Sequence, residues 1–248
     1  MHPIRPLLIL ALTPIFLTGG CGELAGRDAG STPVLSVAPK AYGDFLPPPP
    51  DAPDSAETWR AAADEAARRE GMLLRAGPRG EAAARDAQKL TPRYLEAVYG
   101  EVLGRELSKT HTPAVRRLIK RTIEEVEAAG RPLKRRYARQ RPFVRHPDDE
   151  TCRPDLKDVI NPTTSYPSGH AAVFWGVGLA LSGVFPNDAA ALLARSREGG
   201  ESRWICGHHW ASDVEAGRLL ASAVFANLMT DPDYRALLDE ARIEAVEK

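Results

Sequence analysis

The chain has 248 residues, with 33 basic and 33 acidic side chains and a formal net charge of zero. This length is enough for one sizeable hydrophobic core, so we expect one folded domain. The balanced charge gives no basic footprint for a nucleic-acid partner. Mean hydropathy is negative, and only one stretch, near the start, is apolar enough to be directed to a membrane. The mature chain is therefore expected to be soluble.

Residues 1–21 have the organisation of a secretory signal peptide. Arg5 supplies a basic start, residues 7–17 are apolar, and small residues lead to Cys21. The apolar run is shorter than the roughly 20 residues that cross a bilayer. Residues 18–21, TGGC, resemble a bacterial lipoprotein cleavage box, although leucine usually stands in place of Thr18. The resemblance implies lipidation of Cys21, with ordinary signal-peptidase cleavage as the alternative. We expect an exported protein, either periplasmic or held at the cell envelope by this lipid anchor alone.

Two cysteines remain after Cys21 is set aside, namely Cys152 and Cys206. An oxidising compartment allows exposed thiols to pair, so a disulfide between them is one interpretation. In the chain-entropy model a loop of this length would contribute about 4 kcal/mol of stability. The alternative is that both are small buried residues without a covalent bond.

The segment at residues 22–55 is rich in proline, glycine and alanine and includes the run LPPPP. Four successive prolines exclude a helix there and favour an extended conformation, which indicates a tether or a surface strap. The remaining chain, residues 56–248, has helical rather than alternating periodicity and is expected to be a single all-α domain of seven or eight helices.

The candidate helices carry clear boundary signals. The first begins among capping residues and is expected to stop at Gly71, and the next has Thr112 as N-cap, Pro113 at its first position and a stop at Gly130. A third is apolar nearly all round, which predicts a central buried helix that ends before Pro186. The candidates cover residues 54–71, 112–130, 169–185, 187–200, 212–230 and 231–248.

Three short segments stand out against this helical background: KRRYARQRP at 134–142, SYPSGHA at 165–171 and SRWICGHHWASD at 202–213. Each has a structural explanation when taken alone. The first would be a solvated basic face of a helix, the second a loop closure, and the third a buried histidine packed among tryptophans. Their order and internal spacing together, K-x6-R-P, then P-S-G-H, then S-R-x5-H-x3-D, make three separate coincidences a poor explanation.

This pattern resembles the type 2 phosphatidic acid phosphatase superfamily, which also includes vanadium haloperoxidases. The resemblance is most detailed to the bacterial class A non-specific acid phosphatases and extends from about Phe45 to the last helix. It implies an all-α, single-domain helical bundle of the acid phosphatase and haloperoxidase type. Thr164, Ala171 and His208 depart from the usual residues of that group, and they leave the substrate preference open.

Phosphoryl transfer needs fixed positive charge around the three equatorial oxygens of the phosphorus. Lys134, Arg141 and Arg203 are the side chains expected to supply it, because arginine can donate two parallel hydrogen bonds to a phosphate and lysine acts as a point charge. Backbone N–H groups of residues 168–170 should add donors at a helix N-terminus, where Gly169 permits close approach and the Ser168 hydroxyl can also donate. The sequence shows no metal-ligand spacing, so we expect neither metal nor cofactor, and activity in the presence of a chelator.

The spacing of the two adjacent histidines distinguishes between them. On a helix, residues four apart share a face, so Asp213 would support His209, whereas His208 would face Ser212. We therefore expect His209 to be the nucleophile and His208 to be a pocket wall or a packing residue. The resemblance implies that His170 is the general acid and later the general base. His170 should then start protonated and His209 neutral, which predicts a bell-shaped pH profile; an acidic optimum is what the family implies.

The leading hypothesis is an acid phosphatase that hydrolyses small organic phosphates, such as nucleotides or sugar phosphates, through a phosphohistidine. A vanadium haloperoxidase would use almost the same residues, with His209 as the axial ligand of vanadate. A non-catalytic phosphate-binding helical protein is the third reading. A homo-oligomer is compatible with the resemblance, but no stripe of residues marks an interface.

Overall fold

The computed structural model describes residues 39–51 and 58–247. Within these ranges the chain forms ten α-helices and no strand, which confirms the all-α prediction. Two short 3₁₀ turns lie at Pro154–Leu156 and Pro186–Asp188. The α-helices are α1 (Pro39–Phe45), α2 (Thr58–Arg75), α3 (Pro78–Asp86), α4 (Pro92–Leu103), α5 (Pro113–Tyr137), α6 (Pro142–Arg145), α7 (Gly169–Val184), α8 (Ala189–Ile205), α9 (Ala211–Leu228) and α10 (Pro232–Glu247).

Helix α7 is the centre of the fold, as its uniformly apolar sequence predicts. It packs against α5, α8, α9 and α10. Phe174, Val177 and Leu181 on this helix are fully buried. None of the helices that the structure describes is both long and apolar enough to cross a membrane.

Three predicted helix ends are wrong. Helix α2 continues past Gly71 to Arg75, α5 continues past Gly130 and through Pro132 to Tyr137, and α8 continues past Gly200 to Ile205. A Cβ atom on Gly71 would lie 3.0 Å from the carbonyl oxygen of Trp204, so this glycine serves the close packing of α2 on α8 and does not end the helix. Helix α5 instead ends where Ala138 adopts a left-handed conformation, with φ of 44°.

The region predicted to be a tether is partly built into the folded unit. Residues 39–45 form α1, and the side chains of Tyr42 and Leu46 are 4% and 3% exposed. The following prolines are held by hydrogen bonds, because the Tyr166 hydroxyl donates to the carbonyl oxygen of Pro47 and Arg60 donates to that of Pro48 at 3.2 Å. Residues 39–48 are therefore held against the folded unit by burial and hydrogen bonds.

The predicted signal peptide at residues 1–21, including Cys21, lies outside the described residues. So do the rest of the predicted tether up to residue 38 and residues 52–57.

The N-termini of α7 and α9 approach each other closely, and this contact places the functional segments. A Cβ atom on Gly217 of α9 would lie only 2.5 Å from the carbonyl oxygen of Ser168. The backbone N–H of Ser168 donates to the carbonyl oxygen of Asp213 at 2.9 Å. The starts of both helices are therefore tied together at one end of the bundle.

Candidate active site

His209 and Asp213 lie together, but not for the reason given by their spacing. Helix α9 begins only at Ala211, with Trp210 as its N-cap, so His209 precedes the helix and does not share a helical face with Asp213. The Asp213 carboxylate instead turns back to the start of the helix, where Oδ2 accepts the Trp210 N–H at 2.8 Å and lies 3.4 Å from Nδ1 of His209. The expected pair is present, and the N-cap geometry creates it.

The partners of His209 define its tautomer. A guanidinium nitrogen of Arg141 lies 2.9 Å from Nε2 of His209. Because a guanidinium can only donate, Nε2 carries the lone pair and the proton resides on Nδ1, toward Asp213. Burial, with a further contribution from Arg141, holds the pKa of His209 well below its usual value. The imidazole is thus neutral, and its Nε2 lone pair accepts a hydrogen bond from Arg141.

Lys134 and Arg203 lie close enough to Arg141 to interact with it electrostatically, and Arg141 contacts Nε2 of His209. Lys134 Nζ donates to the carbonyl oxygens of Thr164 at 2.8 Å and of Pro167 at 2.6 Å. Removal from water lowers the pKa values of all three cations, and the nearby Arg141 lowers those of Lys134 and Arg203 further. They fall to about 7 for Lys134, about 10 for Arg141 and about 9 for Arg203. Their mutual repulsion makes this cluster a site for an anion.

Arg203 gives the clearest sign of what the cluster binds. Its side chain is 2% exposed, and its Nε and Nη1 atoms make no hydrogen bond with any described residue. A buried donor without an acceptor costs about 1–3 kcal/mol, and more when it is charged. An anionic ligand with several oxygen acceptors, such as a phosphate, would satisfy these donors.

The N-terminus of α7 contributes fewer donors than the sequence suggests. The Ser168 N–H is already used by the carbonyl oxygen of Asp213, and the Ser168 hydroxyl caps the helix by accepting the Ala171 N–H at 3.4 Å. Only Gly169 and His170 therefore present first-turn N–H groups that have no partner within the helix. A Cβ atom on Gly169 would point toward Lys134 Cε, 3.8 Å away, so this glycine keeps the space beside the lysine open.

His170 lies at the start of α7, and its protonation state differs from the expected one. Its Nε2 is 2.9 Å from the carbonyl oxygen of Gln88, which can only accept, so Nε2 carries a proton. Burial and then Arg203 hold the pKa of His170 well below its usual value. The ring is therefore neutral before an anion binds, whereas the sequence analysis expects an imidazolium.

The adjacent His208 has a different environment. It is fully buried, and its ring packs edge-to-face on Phe143 with 6.3 Å between the ring centroids. Burial and then Arg203 lower its pKa far below the usual value. Its backbone carbonyl oxygen accepts a hydrogen bond from Arg141 at 2.8 Å. In this geometry His208 packs and positions Arg141 through its backbone.

The two candidate disulfide partners lie next to this site. The Cα atoms of Cys152 and Cys206 are 4.8 Å apart, and the sulfurs are at bonding distance. The Cys152 N–H also donates to the carbonyl oxygen of Cys206 at 3.1 Å. Cys206 is the C-cap of α8, one turn after Arg203, so this connection fixes the chain between Arg203 and His209.

Sequence reasoning missed the buried ion cluster behind Asp213. Arg139 donates to Asp213 Oδ1 at 2.6 Å and to Asp64 Oδ2 at 2.8 Å, and it is 5% exposed. Ser165 donates to Asp213 Oδ2 at 2.5 Å. Burial alone would raise the pKa of Asp213, but Arg139 and then His209 more than offset it, so the pKa is lowered. In the sequence Arg139 is one of several basic residues at 134–142. Asp64 has no feature that distinguishes it from the other polar residues of α2.

A second missed carboxylate supports Arg203 from behind. Asp86 accepts hydrogen bonds from Ser202 Oγ at 2.7 Å and from Arg195 at 2.5 Å. Ser202 immediately precedes Arg203 on α8, and the negative charge of Asp86 favours the charged form of Arg203. No group of three or more metal-ligating side chains occurs among residues 39–51 and 58–247.

Comparison with known proteins agrees with this geometry. The PAP2 superfamily matches residues 125–236. A non-specific acid phosphatase of Providencia stuartii is 36% identical over 201 residues, which cover 81% of this chain and 79% of that protein. A non-specific acid phosphatase of Salmonella typhimurium is 35% identical over a region that covers 82% of this chain and 80% of that protein. An acid phosphatase of Zymomonas mobilis is 34% identical over a region that covers 97% of this chain and 89% of that protein.

The chain belongs to the PAP2 superfamily. The matched PAP2 region contains every predicted catalytic and phosphate-binding residue, from Lys134 to Asp213. Arg139 also lies inside it, whereas Asp64 and Asp86 lie outside it. The two supporting carboxylates are therefore supplied by helices that precede the matched PAP2 region.

The Arg139 cluster makes a prediction about stability. Arg139→Ala leaves the buried Asp64 and Asp213 carboxylates without their cation, and this should lower the free energy of unfolding by about 3–5 kcal/mol. Arg136→Ala is the matched control, because Arg136 is half exposed and its ion-pair partner Asp44 is exposed as well; it should change stability by less than about 0.5 kcal/mol. Urea denaturation measures both. Equal stability of the two variants would contradict a structural role for Arg139.

Proposed function

We propose that this protein is a metal-independent acid phosphatase that hydrolyses small organic phosphomonoesters through a phosphohistidine on His209. The observation that carries the proposal is a neutral His209 whose Nε2 lies 2.9 Å from the buried Arg141, in a cationic cluster that also holds Lys134 and the buried Arg203, whose Nε and Nη1 donors are unmatched by any described residue. An electron pair held among fixed positive charges suits attack on a phosphate. The named relatives, all acid phosphatases, support the same reaction class.

In the first step the phosphate of the substrate lies among Lys134, Arg141 and Arg203. Nε2 of His209 attacks phosphorus and forms a P–N bond as the bond to the leaving oxygen breaks. The leaving oxygen takes a proton from His170. The positive charge that develops on the His209 ring is stabilised by Asp213, whose Oδ2 lies 3.4 Å from Nδ1. Release of an alcohol completes this half of the reaction.

In the second step a water molecule attacks the phosphohistidine. His170, now neutral, accepts a proton from the water, the P–N bond breaks, and inorganic phosphate leaves with the new oxygen. His209 returns to its neutral form. Both steps use the same cations, because the charge on the phosphoryl oxygens is similar in each.

The neutral state of His170 is compatible with this cycle because substrate binding changes its electrostatics. Its pKa is low since it is buried close to Arg203. A bound phosphate dianion adds negative charge at the same place, which favours the protonated imidazole. Proton uptake therefore accompanies substrate binding, and acidic conditions assist it.

The setting of the enzyme follows from the same proposal. Residues 1–21 would direct export, the rest of the segment up to residue 55 would link to the catalytic domain at 56–248, and lipidation of Cys21 would retain the enzyme at the envelope. A disulfide between Cys152 and Cys206, supported by their 4.8 Å Cα separation, would suit the periplasm. Substrates would be small phosphate esters such as nucleotides or sugar phosphates.

The paired histidines supply the sharpest test of the mechanism. His209→Asn removes the nucleophile and should lower kcat by at least about 10³-fold, while inhibition by inorganic phosphate stays within about threefold, because the cations remain. His208→Asn is the matched control and should keep kcat within about tenfold. Phosphate release from an aryl phosphate, assayed with a chelator present, measures both. A His209→Asn variant with substantial turnover would contradict the proposal.

We expect the ionisation of Lys134 to set the alkaline limit of phosphate binding. Its pKa in the free protein is about 7, far below the usual lysine value, because it is buried and close to Arg141. A bound anion favours the ammonium form of Lys134. The affinity for phosphate is therefore greatest below that pKa and falls by about tenfold per pH unit above it. Lys134→Arg keeps the charge and should move this limit to higher pH.

The measurement is the inhibition constant of inorganic phosphate between pH 5 and pH 9. Ionisation of phosphate itself is common to all variants and cancels in the comparison. Lys120→Arg is the control, because Lys120 is exposed and paired with Glu124 at 3.6 Å. Identical alkaline limits for the wild type and Lys134→Arg would show that Lys134 does not set the limit.

A further inference from the structure

A groove of about 360 Å³ opens beside the cationic cluster. Lys134, Gly169 and His170 form its inner end. Its floor is apolar and comes from four separate parts of the fold: Leu90, Val126, Val173 and Leu220, each at most 9% exposed.

The groove lies on the side of the cluster from which the leaving group must depart. An in-line displacement places nucleophile and leaving group on opposite sides of the phosphorus. His170, which we propose as the proton donor to the leaving oxygen, lines the groove, whereas His209 does not. A substrate with its phosphate among the cations and facing His209 would therefore direct its alcohol portion into the groove.

The chemistry of the floor distinguishes between alcohol types. The side chains of Leu90, Val126, Val173 and Leu220 offer no hydrogen-bond donor or acceptor. A polyhydroxylated group that entered would exchange water for these side chains, and each hydroxyl left without a hydrogen-bond partner would weaken binding. A hydrocarbon group would instead be stabilised by its removal from water. Besides Lys134 and His170 at the cationic cluster, the ionisable lining side chains are those of Lys89, Glu127 and Arg131, which are exposed.

The size of the groove limits the group that fits. Its volume of about 360 Å³ is near the lower end of the range for small-molecule sites, about 300–1,000 Å³. A dry cavity of about 150 Å³ is enough for benzene. The groove therefore accommodates one or two rings, or an alkyl chain of similar volume.

We propose that this groove selects substrates with an apolar leaving group, so that phosphomonoesters of aryl-bearing or aliphatic alcohols are preferred over sugar phosphates. The proposal rests on the phosphatase function proposed above and narrows its substrate class. Gly130 is the position that tests it most directly, because it lies in the groove lining on α5 and a Cβ atom there would be 3.6 Å from Leu220. A larger side chain at this position fills the groove without replacing a cation or a histidine.

The experiment compares kcat/KM for benzyl phosphate and glycerol phosphate, which both release an alcohol, in the wild type and in Gly130→Leu. The wild type should prefer benzyl phosphate by about tenfold or more, which corresponds to 1.4 kcal/mol. Gly130→Leu should lose at least about tenfold on benzyl phosphate and less than about threefold on glycerol phosphate. Ala128→Leu adds the same side chain on α5 outside the groove lining and should preserve the preference.

A second variant guards against misfolding of Gly130→Leu. Val173→Thr keeps the shape of a groove residue and adds a hydroxyl, so it should reduce the preference for benzyl phosphate about threefold or more. A wild type without preference, or equal losses on both substrates in Gly130→Leu and Val173→Thr while phosphate still inhibits, would overturn the groove proposal alone. A wild type that hydrolyses neither ester would overturn the proposed function together with it.

Discussion

The Asp213 carboxylate is the interaction on which the rest of the site depends. It begins α9 by accepting the Trp210 N–H, supports His209 at 3.4 Å and accepts hydrogen bonds from Arg139 and Ser165. The backbone carbonyl of the same residue takes the Ser168 N–H at the start of α7. One fully buried residue thus aligns two helix N-termini, a histidine tautomer and a loop. The core tolerates the negative charge of Asp213 because Arg139 forms an ion pair with it.

The cationic cluster lowers the stability of the folded protein and provides a binding site for an anion. Burial lowers the pKa values of Lys134, Arg141 and Arg203, and repulsion by Arg141 lowers those of Lys134 and Arg203 further. Like charges this close oppose folding, and two features of the fold restrain them: Asp86 supports Arg203 from behind, and backbone carbonyl oxygens bond Lys134 and Arg141. An anion relieves the remaining repulsion. The same electrostatics lowers the pKa of His170 in the free protein, and in the proposed mechanism a bound phosphate would favour its protonation.

The sequence predicted the all-helical architecture, because apolar periodicity and capping residues are local signals. It failed where a local signal had a tertiary cause. Gly71 resembles a helix stop but permits α2 to pack on α8. The proline-rich segment resembles a tether, although the neighbouring Tyr42 and Leu46 are buried in the folded unit. Such distinctions depend on what another segment places opposite the residue, and spacing along the chain does not contain that information.

The candidate site shows the same division. Motif spacing indicated His209 and Asp213 as partners, yet the assumed helical face does not exist, because the helix starts after His209. The Ser168 N–H was expected to face an anion, but the carbonyl of Asp213 uses it. Arg139, Asp64 and Asp86 were missed because an isolated charged residue in a helical sequence looks the same whether it is solvated or paired in the core. Only the fold reveals these pairings.

The most direct test of the central claim is a crystal structure with orthovanadate, which resembles a transferring phosphoryl group. Our account predicts vanadium bonded to Nε2 of His209, with its oxygens hydrogen-bonded to Lys134 and Arg203 and to the first N–H groups of α7. Vanadate bonded instead to His170 or His208, or bound away from Arg203, would contradict the account.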